Sequence, residues 1–368
     1  MKKSTLKILA ILVLILAAFA VYTMDNARRI NTSATEKDKP VIKIGVLLPL
    51  TGKNMVDTGH LMKNTVLYKM QELEKETTKN RYEFIIEDSA FDSSRTALAN
   101  AKLINQDKVS AVISFGSRIG NVVSPVTERN SILHLSACAS DENVAIGKYN
   151  FIHWTQPKVE VDRMVEEIKN RGIKSVAIIV ANDAATLAMG NTLEEELTKL
   201  GIKNYKDIVD PNLNDFRMNI PKMEKNNPEI YALIVFESAT MNFVKQAREL
   251  NLNKPLTSIE TFSFLADQSI LEGYWYVDPA EITGEFKTKI ETFNKSDNIF
   301  ALGNIYDSLN LLITAFEKAP TPEQAVDELE KIKTFDGVLG RLTQDENGIF
   351  QSKAIIKTIK NGKAVVEN

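Results

Sequence analysis

Short apolar strands alternate with amphipathic helices along this chain, and midway the pattern begins again. No other feature limits the possible folds as much. Val41–Leu48 (VIKIGVLL) is rich in β-branched residues and stops at Pro49 and the turn Thr51-Gly52, so it reads as a strand. From Gly59 to about Thr78, Leu61, Met62, Val66, Met70 and Leu73 fall at helical spacing. Tyr82–Glu87 and Val109–Phe115 read as strands with a helix over Ser93–Gln106 between them. A helix over Val122–Arg129 and a strand over Ser131–Leu135 follow. The strands are apolar throughout rather than alternating in polarity, as expected when both faces of a parallel sheet are covered.

After residue 158 helices over Val159–Asn170, Leu187–Leu200, Phe216–Lys225 and Thr240–Leu250 alternate with four strands. These strands are expected over Ser175–Val180, near Lys206–Val209, over Ile230–Phe236 and over Leu256–Ile259. A chain of 368 residues exceeds the ~100–200 of one domain and accommodates two such units. The fold class is α/β, with two Rossmann-like lobes. Side by side, the lobes leave a cleft at the carboxyl ends of their strands, where open α/β sheets take ligands.

The ends and the composition narrow the function. Lys2, Lys3 and Lys7 precede fifteen almost wholly apolar residues, Ile8–Tyr22, which is short of the roughly 20 that span a bilayer. Ala18-Phe19-Ala20 has the small-x-small form of a cleavage site, so 1–24 reads as a signal peptide, with an uncleaved N-terminal anchor as the rival. Residues 25–40, polar and ending at Pro40, read as a linker. The balance of 45 basic and 48 acidic residues lacks the basic excess of a nucleic-acid binder. The single cysteine, Cys138, excludes an internal disulfide framework and lies too far from the N-terminus for a lipid-modified first residue.

Signatures of chemistry are missing. The sequence has no G-x-G-x-x-G, no P-loop, no G-x-S-x-G and no H-E-x-x-H. His60, His134 and His153 never pair at metal-ligand spacing. His134, inside an apolar strand, reads as a core histidine. Cys138 among small residues reads as packing, with a Cys–His pair as the enzymatic alternative. Tyr274-Trp275-Tyr276 reads as a core or cross-lobe strand. No cofactor, metal or catalytic residue is expected.

What remains lies in loops at strand ends. Gly116-Ser117-Arg118-Ile119-Gly120 and Ser136–Ser140 (SACAS) supply hydroxyls and free backbone N–H groups beside a helix start. Such a cradle suits a carboxylate, and ordinary serine capping is the alternative.

With these segments in view, the chain resembles a known family. Val41–Gly52, Phe91–Gln106, Ser110–Ser117, Ile132–Ser140 and Asp336–Gly348 are similar in order and spacing to the type I periplasmic binding proteins. The branch they resemble most is the leucine/isoleucine/valine-binding proteins of ABC importers. The resemblance implies interleaved lobes, 41–157 with 283–350 and 158–282 with 351–368. It implies a monomer that closes on an amino acid or similar small zwitterion and then docks on a membrane permease, without bond chemistry. By the same resemblance Ser117 binds the ligand α-carboxylate, and Cys138, Ala139 and Ser140 form the loop that serves carboxylate and ammonium. Glu260 pairs with the ammonium. Phe236 and Glu237 stand on the cleft wall, where a buried Glu237 would be a second acid. Thr58 replaces an aromatic of the branched-chain binders, Leu187 is the nearest match to a cleft tyrosine, and Arg118 adds a cation by the cradle. The last three leave a polar or amide-bearing ligand open, and Arg118 and Glu237 have solvated rim charges as their alternative. A membrane-anchored sensor of the same fold and, further off, an α/β enzyme using Cys138 are the other readings.

Overall fold

A computed structural model describes residues 39–367 apart from 54 and 266; the expected signal segment and nearly all of the linker lie outside the described residues. The first unit builds five strands: β1 (Val41–Leu48), β2 (Arg81–Asp88), β3 (Ala111–Phe115), β4 (Leu133–Ala137) and β5 (Asn150–His153). Helices α1 (Val56–Leu73), α2 (Ser93–Lys102) and α3 (Ser117–Arg129) connect them. The second unit has α4 (Pro157–Asn170), β6 (Ser175–Ala181), α5 (Ala184–Lys199), β7 (Lys203–Val209), α6 (Asn219–Glu224), β8 (Ile230–Ile234), α7 (Glu237–Glu249), β9 (Leu256–Thr257) and β10 (Trp275–Pro279).

The C-terminal part had no strand expectations attached, and it adds to both units. Helices α8 (Gly284–Asn294), α9 (Leu302–Phe316) and α10 (Pro322–Glu330) lead into β11 (Thr334–Gly337), β12 (Gly340–Gln344) and β13 (Ile349–Gln351). These extend the first sheet to the order β11-β12-β13-β5-β4-β3-β1-β2, parallel from β13 to β2 and antiparallel beyond. The last strands, β14 (Ala354–Lys360) and β15 (Lys363–Val366), pair antiparallel beside β10. A parallel sheet, β7-β6-β8-β9, completes the second lobe, and an isolated bridge between Ile259 and Val277 joins it to the three-stranded sheet. The chain therefore passes between lobes three times, after β5, after β10 and after β13.

The strands of the two parallel sheets carry the cores. Every residue of β3, β4, β6 and β8 is buried, which accounts for their unbroken apolar runs. His134, within β4, is a core residue with both ring nitrogens engaged, 2.8 Å from Ser114 Oγ and 2.9 Å from Asn150 Oδ1; burial lowers its pKa to about 4. Trp275 and Tyr276 are buried in β10, with Tyr276 ring-to-ring against Phe262.

Three helices start earlier than apolar periodicity suggests. α3 begins at Ser117 rather than Val122, α5 at Ala184 rather than Leu187, and α7 at Glu237 rather than Thr240. Each added turn follows the carboxyl end of a sheet strand. Periodicity reports the stripe a helix buries in its core, and these first turns face the cleft instead.

Candidate ligand-binding cleft

The carboxyl ends of β3, β4 and β5 from one lobe and of β6, β8 and β9 from the other converge on a small cavity of about 50 Å³. Outside it lies a wide groove of about 1080 Å³ between the same lobes. Trp154, Phe264 and Phe300 line both spaces. Phe300 meets the other two edge-to-face, at 6.1 Å from Trp154 and 5.2 Å from Phe264, so three rings separate the cavity from the groove.

The first lobe contributes donors. Gly116 caps α3 at φ +80°, a conformation that glycine adopts freely, and α3 then aims its first N–H groups inward. Ser117 Oγ accepts hydrogen bonds from the backbone N–H of Ser140 at 2.9 Å and of Asp141 at 3.1 Å. Helix start and SACAS loop are thereby locked together. Cys138 sits in the loop at φ +59°, left-handed for a residue with a Cβ. Its thiol is buried; burial and the Glu260 carboxylate push its pKa well above the ordinary value, so it stays neutral.

The second lobe contributes acids. Glu260 follows β9 at φ +60°, its N–H donating to Val277 O at 2.8 Å and its carbonyl accepting from Ser263 N at 2.8 Å. This pinned backbone presents a buried carboxyl to the other lobe. Trp154 Nε1 donates to Glu260 Oε1 at 2.6 Å, and Ser140 Oγ donates to the same oxygen at 3.4 Å. Burial raises the Glu260 pKa to about 8 against the opposing hydrogen bonds. No lysine, arginine or histidine pairs with it among the described residues. A second bridge closes the other end: Asp183 caps α5 and pairs with Arg118 of α3, whose Nε donates at 3.1 Å while its guanidinium lies 5.0 Å from the Phe91 ring centre.

Six of the ten sequence candidates line the small cavity: Ser117, Arg118, Cys138, Ser140, Phe236 and Glu260. Thr58 and Glu237 line the outer groove instead, and Glu237 is exposed, so it is not the second buried acid. Ala139 is buried within the loop, its carbonyl accepting from Gln156 Nε2 at 3.0 Å. Leu187 packs on the core of the second lobe, while its neighbours Thr186 and Met189 reach the cavity. Arg118 is not a free cation at the rim, because Asp183 engages it.

Sequence reasoning passed over Trp154, Asp183 and Glu160. Asp183 carried a legible signal, an Asp placed to cap the helix that follows β6. Glu160 carried none, since an isolated Glu on an amphipathic helix ordinarily faces water.

Known proteins place this architecture. The family model described as periplasmic binding protein matches residues 41–364. The chain belongs to the periplasmic binding protein family. Among solved structures it is similar to a leucine-binding protein, LivK, from Thermotoga maritima, with 20% identity, TM-score 0.80, and 89% of this chain and 98% of that one covered. It is similar also to the branched-chain amino acid transporter substrate-binding protein LivJ from Streptococcus pneumoniae in complex with isoleucine (18%, 0.78, 89% and 99%). A third is the solute-binding protein of an ABC transporter from Rhodopseudomonas palustris in complex with 3,4-dihydroxybenzoic acid (16%, 0.78, 89% and 96%). At these identities the likeness concerns the fold, which is that of ABC-transporter solute-binding proteins. These family members are binding proteins rather than enzymes. Among the described residues no His, Cys, Asp and Glu group is arranged to hold a metal ion, and no helix is long and apolar enough to cross a membrane.

Proposed function

We propose that this protein captures an amino acid or related small zwitterion and delivers it to the membrane permease of an ABC importer. The observation that carries the reading is Glu260, a buried carboxyl with no protein cation among the described residues, set across a small cavity from the start of α3. Ser140 connects the two sides: its N–H reaches Ser117 and its hydroxyl reaches Glu260. A ligand carrying both charges satisfies both walls. The α3 N–H groups and helix dipole receive its carboxylate, and Glu260 receives its ammonium. An aromatic acid, of the kind bound by the Rhodopseudomonas relative, would suit the Phe91, Phe115 and Phe236 walls but would bring no cation to the buried Glu260 carboxyl.

In this reading the lobes are 41–157 with 283–350 and 158–282 with 351–368, and closure is what brings Glu260 onto Ser140 and Trp154. Only the closed state lets a ligand touch both lobes, so ligand stabilises closure. The signal-like segment, the monomeric state and the docking of the closed form on a permease complete the proposal. No bond is made or broken.

The test is a thermal-shift panel of the L-amino acids, glycinamide, urea, benzoate and 4-hydroxybenzoate. An amino acid at 100 times its dissociation constant should stabilise the protein by about 2.7 kcal/mol. A response to benzoates and to no amino acid would sink the zwitterion reading.

A further inference from the structure

Trp154 serves the cleft in two ways, as a wall and as a hydrogen-bond donor. As a wall it lines both the small cavity and the outer groove and meets Phe300 edge-to-face at 6.1 Å. As a donor its Nε1 reaches Glu260 Oε1 at 2.6 Å, short for an N–H···O bond, while Ser140 Oγ stands farther from the same oxygen at 3.4 Å.

The indole is held in place without help from Glu260. Trp154 is the first residue after β5, on the first crossing between the lobes, and is 3% exposed. Its backbone N–H donates to Phe350 O at 3.0 Å, which ties it to β13, and its carbonyl accepts from Gln156 Nε2 at 3.2 Å. The same Gln156 Nε2 donates to Ala139 O at 3.0 Å, so the crossing is joined to the SACAS loop as well. The Glu260 carboxyl has no such framework of its own. Its backbone is pinned, but it ends a rotamer-rich side chain, and among the described residues only Trp154 and Ser140 donate to it.

The kind of donor matters as much as its place. An indole N–H donates, never accepts and carries no charge. A lysine or arginine there would orient the carboxyl and neutralise it at once. Arg118, the one cation among the residues lining the small cavity, is engaged by Asp183 instead. The bonds that reach Glu260 thus fix its direction and leave its charge unspent.

We propose that Trp154 is the positioning residue for Glu260: on closure its indole N–H fixes the carboxyl toward the cavity and leaves the charge of the acid to the ammonium of the ligand. The ligand half rests on the amino-acid reading above; the orienting bond does not. Trp154 and Glu260 stand on opposite sides of the cleft, so the bond forms as the lobes close and its loss falls on affinity.

Two measurements on the full chain test this. The sequence has two tryptophans, Trp154 and Trp275, so a protein isotope-labelled at the indole nitrogen gives two N–H signals in its NMR spectrum, and Trp154→Phe assigns them. The Trp154 signal should differ between the unaltered protein and Glu260→Ala, empty or with glycine, L-alanine or L-leucine added, while the Trp275 signal stays in place. Calorimetric titration with the same amino acids compares the unaltered protein with Trp154→benzothienylalanine, which keeps both rings and has sulfur where the N–H stood. The isostere should bind roughly ten- to a hundredfold more weakly, and Trp154→Phe at least as weakly. A ring that acts only as a wall would leave the affinity of the isostere unchanged, and that result overturns the proposal even if Glu260→Ala fails to fold. A Trp154 signal indifferent to Glu260 under both conditions overturns it too. If none of the three amino acids binds while the Trp154 signal of the empty protein still depends on Glu260, the amino-acid reading fails and the orienting bond stands.

Discussion

The two walls of the cavity are built on opposite principles. The first-lobe wall is made of local backbone chemistry: a glycine cap, the first turn of α3, and a serine loop that Ser117 staples to it. The second-lobe wall is made of buried acids whose partners lie far away in sequence. Glu260 is 106 residues from Trp154 and 120 from Ser140, and Asp183 is 65 from Arg118. Local groups can be satisfied before the lobes meet. The acids are satisfied only by the assembled protein, or by a ligand. One wall is therefore ready in advance, and the other depends on closure.

The strongest challenge to this contrast is Glu260→Ala. Removing one partner of a buried ion pair costs about 3–5 kcal/mol, so amino-acid affinity measured by calorimetry should fall roughly a hundredfold or more. An unchanged affinity would remove Glu260 from the site.

The walls should next separate by pH. Burial holds His134 and His153 of the first lobe at about 4, below their ordinary 6.5. Their contribution to stability is present above 6.5 and is lost as pH falls through 4. Glu260 of the second lobe is raised from 4.5 to about 8, so its contribution is present below 4.5 and is lost as pH rises through 8. Melting temperature of the empty protein, scanned from acid to mild alkali, should therefore decline at both ends, and Glu260→Gln should flatten only the alkaline decline.

Ser117→Ala should cost less than loss of Glu260. Hydrogen bonds to charged groups are worth about 1.5–3 kcal/mol, and the α3 N–H groups remain. Affinity should drop roughly ten- to a hundredfold.

Arg118→Ala and Asp183→Ala should have smaller effects. Arg118 is 31% exposed, so its cross-lobe pair is discounted to about 1 kcal/mol or less. A double-mutant cycle on ligand affinity should return a coupling of that size, and a coupling of zero would mean that the pair does not hold the closed state. Smallest of all, Glu237→Ala and Thr58→Ala, outside the small cavity, should change ligand affinity by no more than about 0.5 kcal/mol. A larger loss would draw the outer groove into the ligand site.

How legible each wall was in the sequence follows from the same contrast. Ser117, Cys138 and Ser140 stand in continuous segments, GSRIG and SACAS, at the ends of apolar strands, and short-range chemistry made them visible. The starts of α3, α5 and α7 were misjudged for the converse reason: their first turns serve the cleft, and periodicity records only what a helix buries in its core. Leu187, the nearest match to a cleft tyrosine by resemblance, lies on the core instead, and Thr186 and Met189 reach the cavity. The chain past residue 330 gave no strand expectation, because β11, β12 and β15 are short, largely exposed, and defined by antiparallel partners.

By itself, the order of residues determined the alternation of strand and helix, hence parallel sheets with a cleft at their carboxyl ends, and the donor loops on one side of it. Strand propensity, helix periodicity and glycine caps act over a few residues and need no knowledge of the rest. Only the tertiary structure decided that Glu160 and Glu260 are both buried, that Arg118 pairs with Asp183, and that Glu237 stays in solvent. Those outcomes depend on which side chains lose water together. Desolvation is a property of the packed lobes, and no local stretch of sequence encodes it.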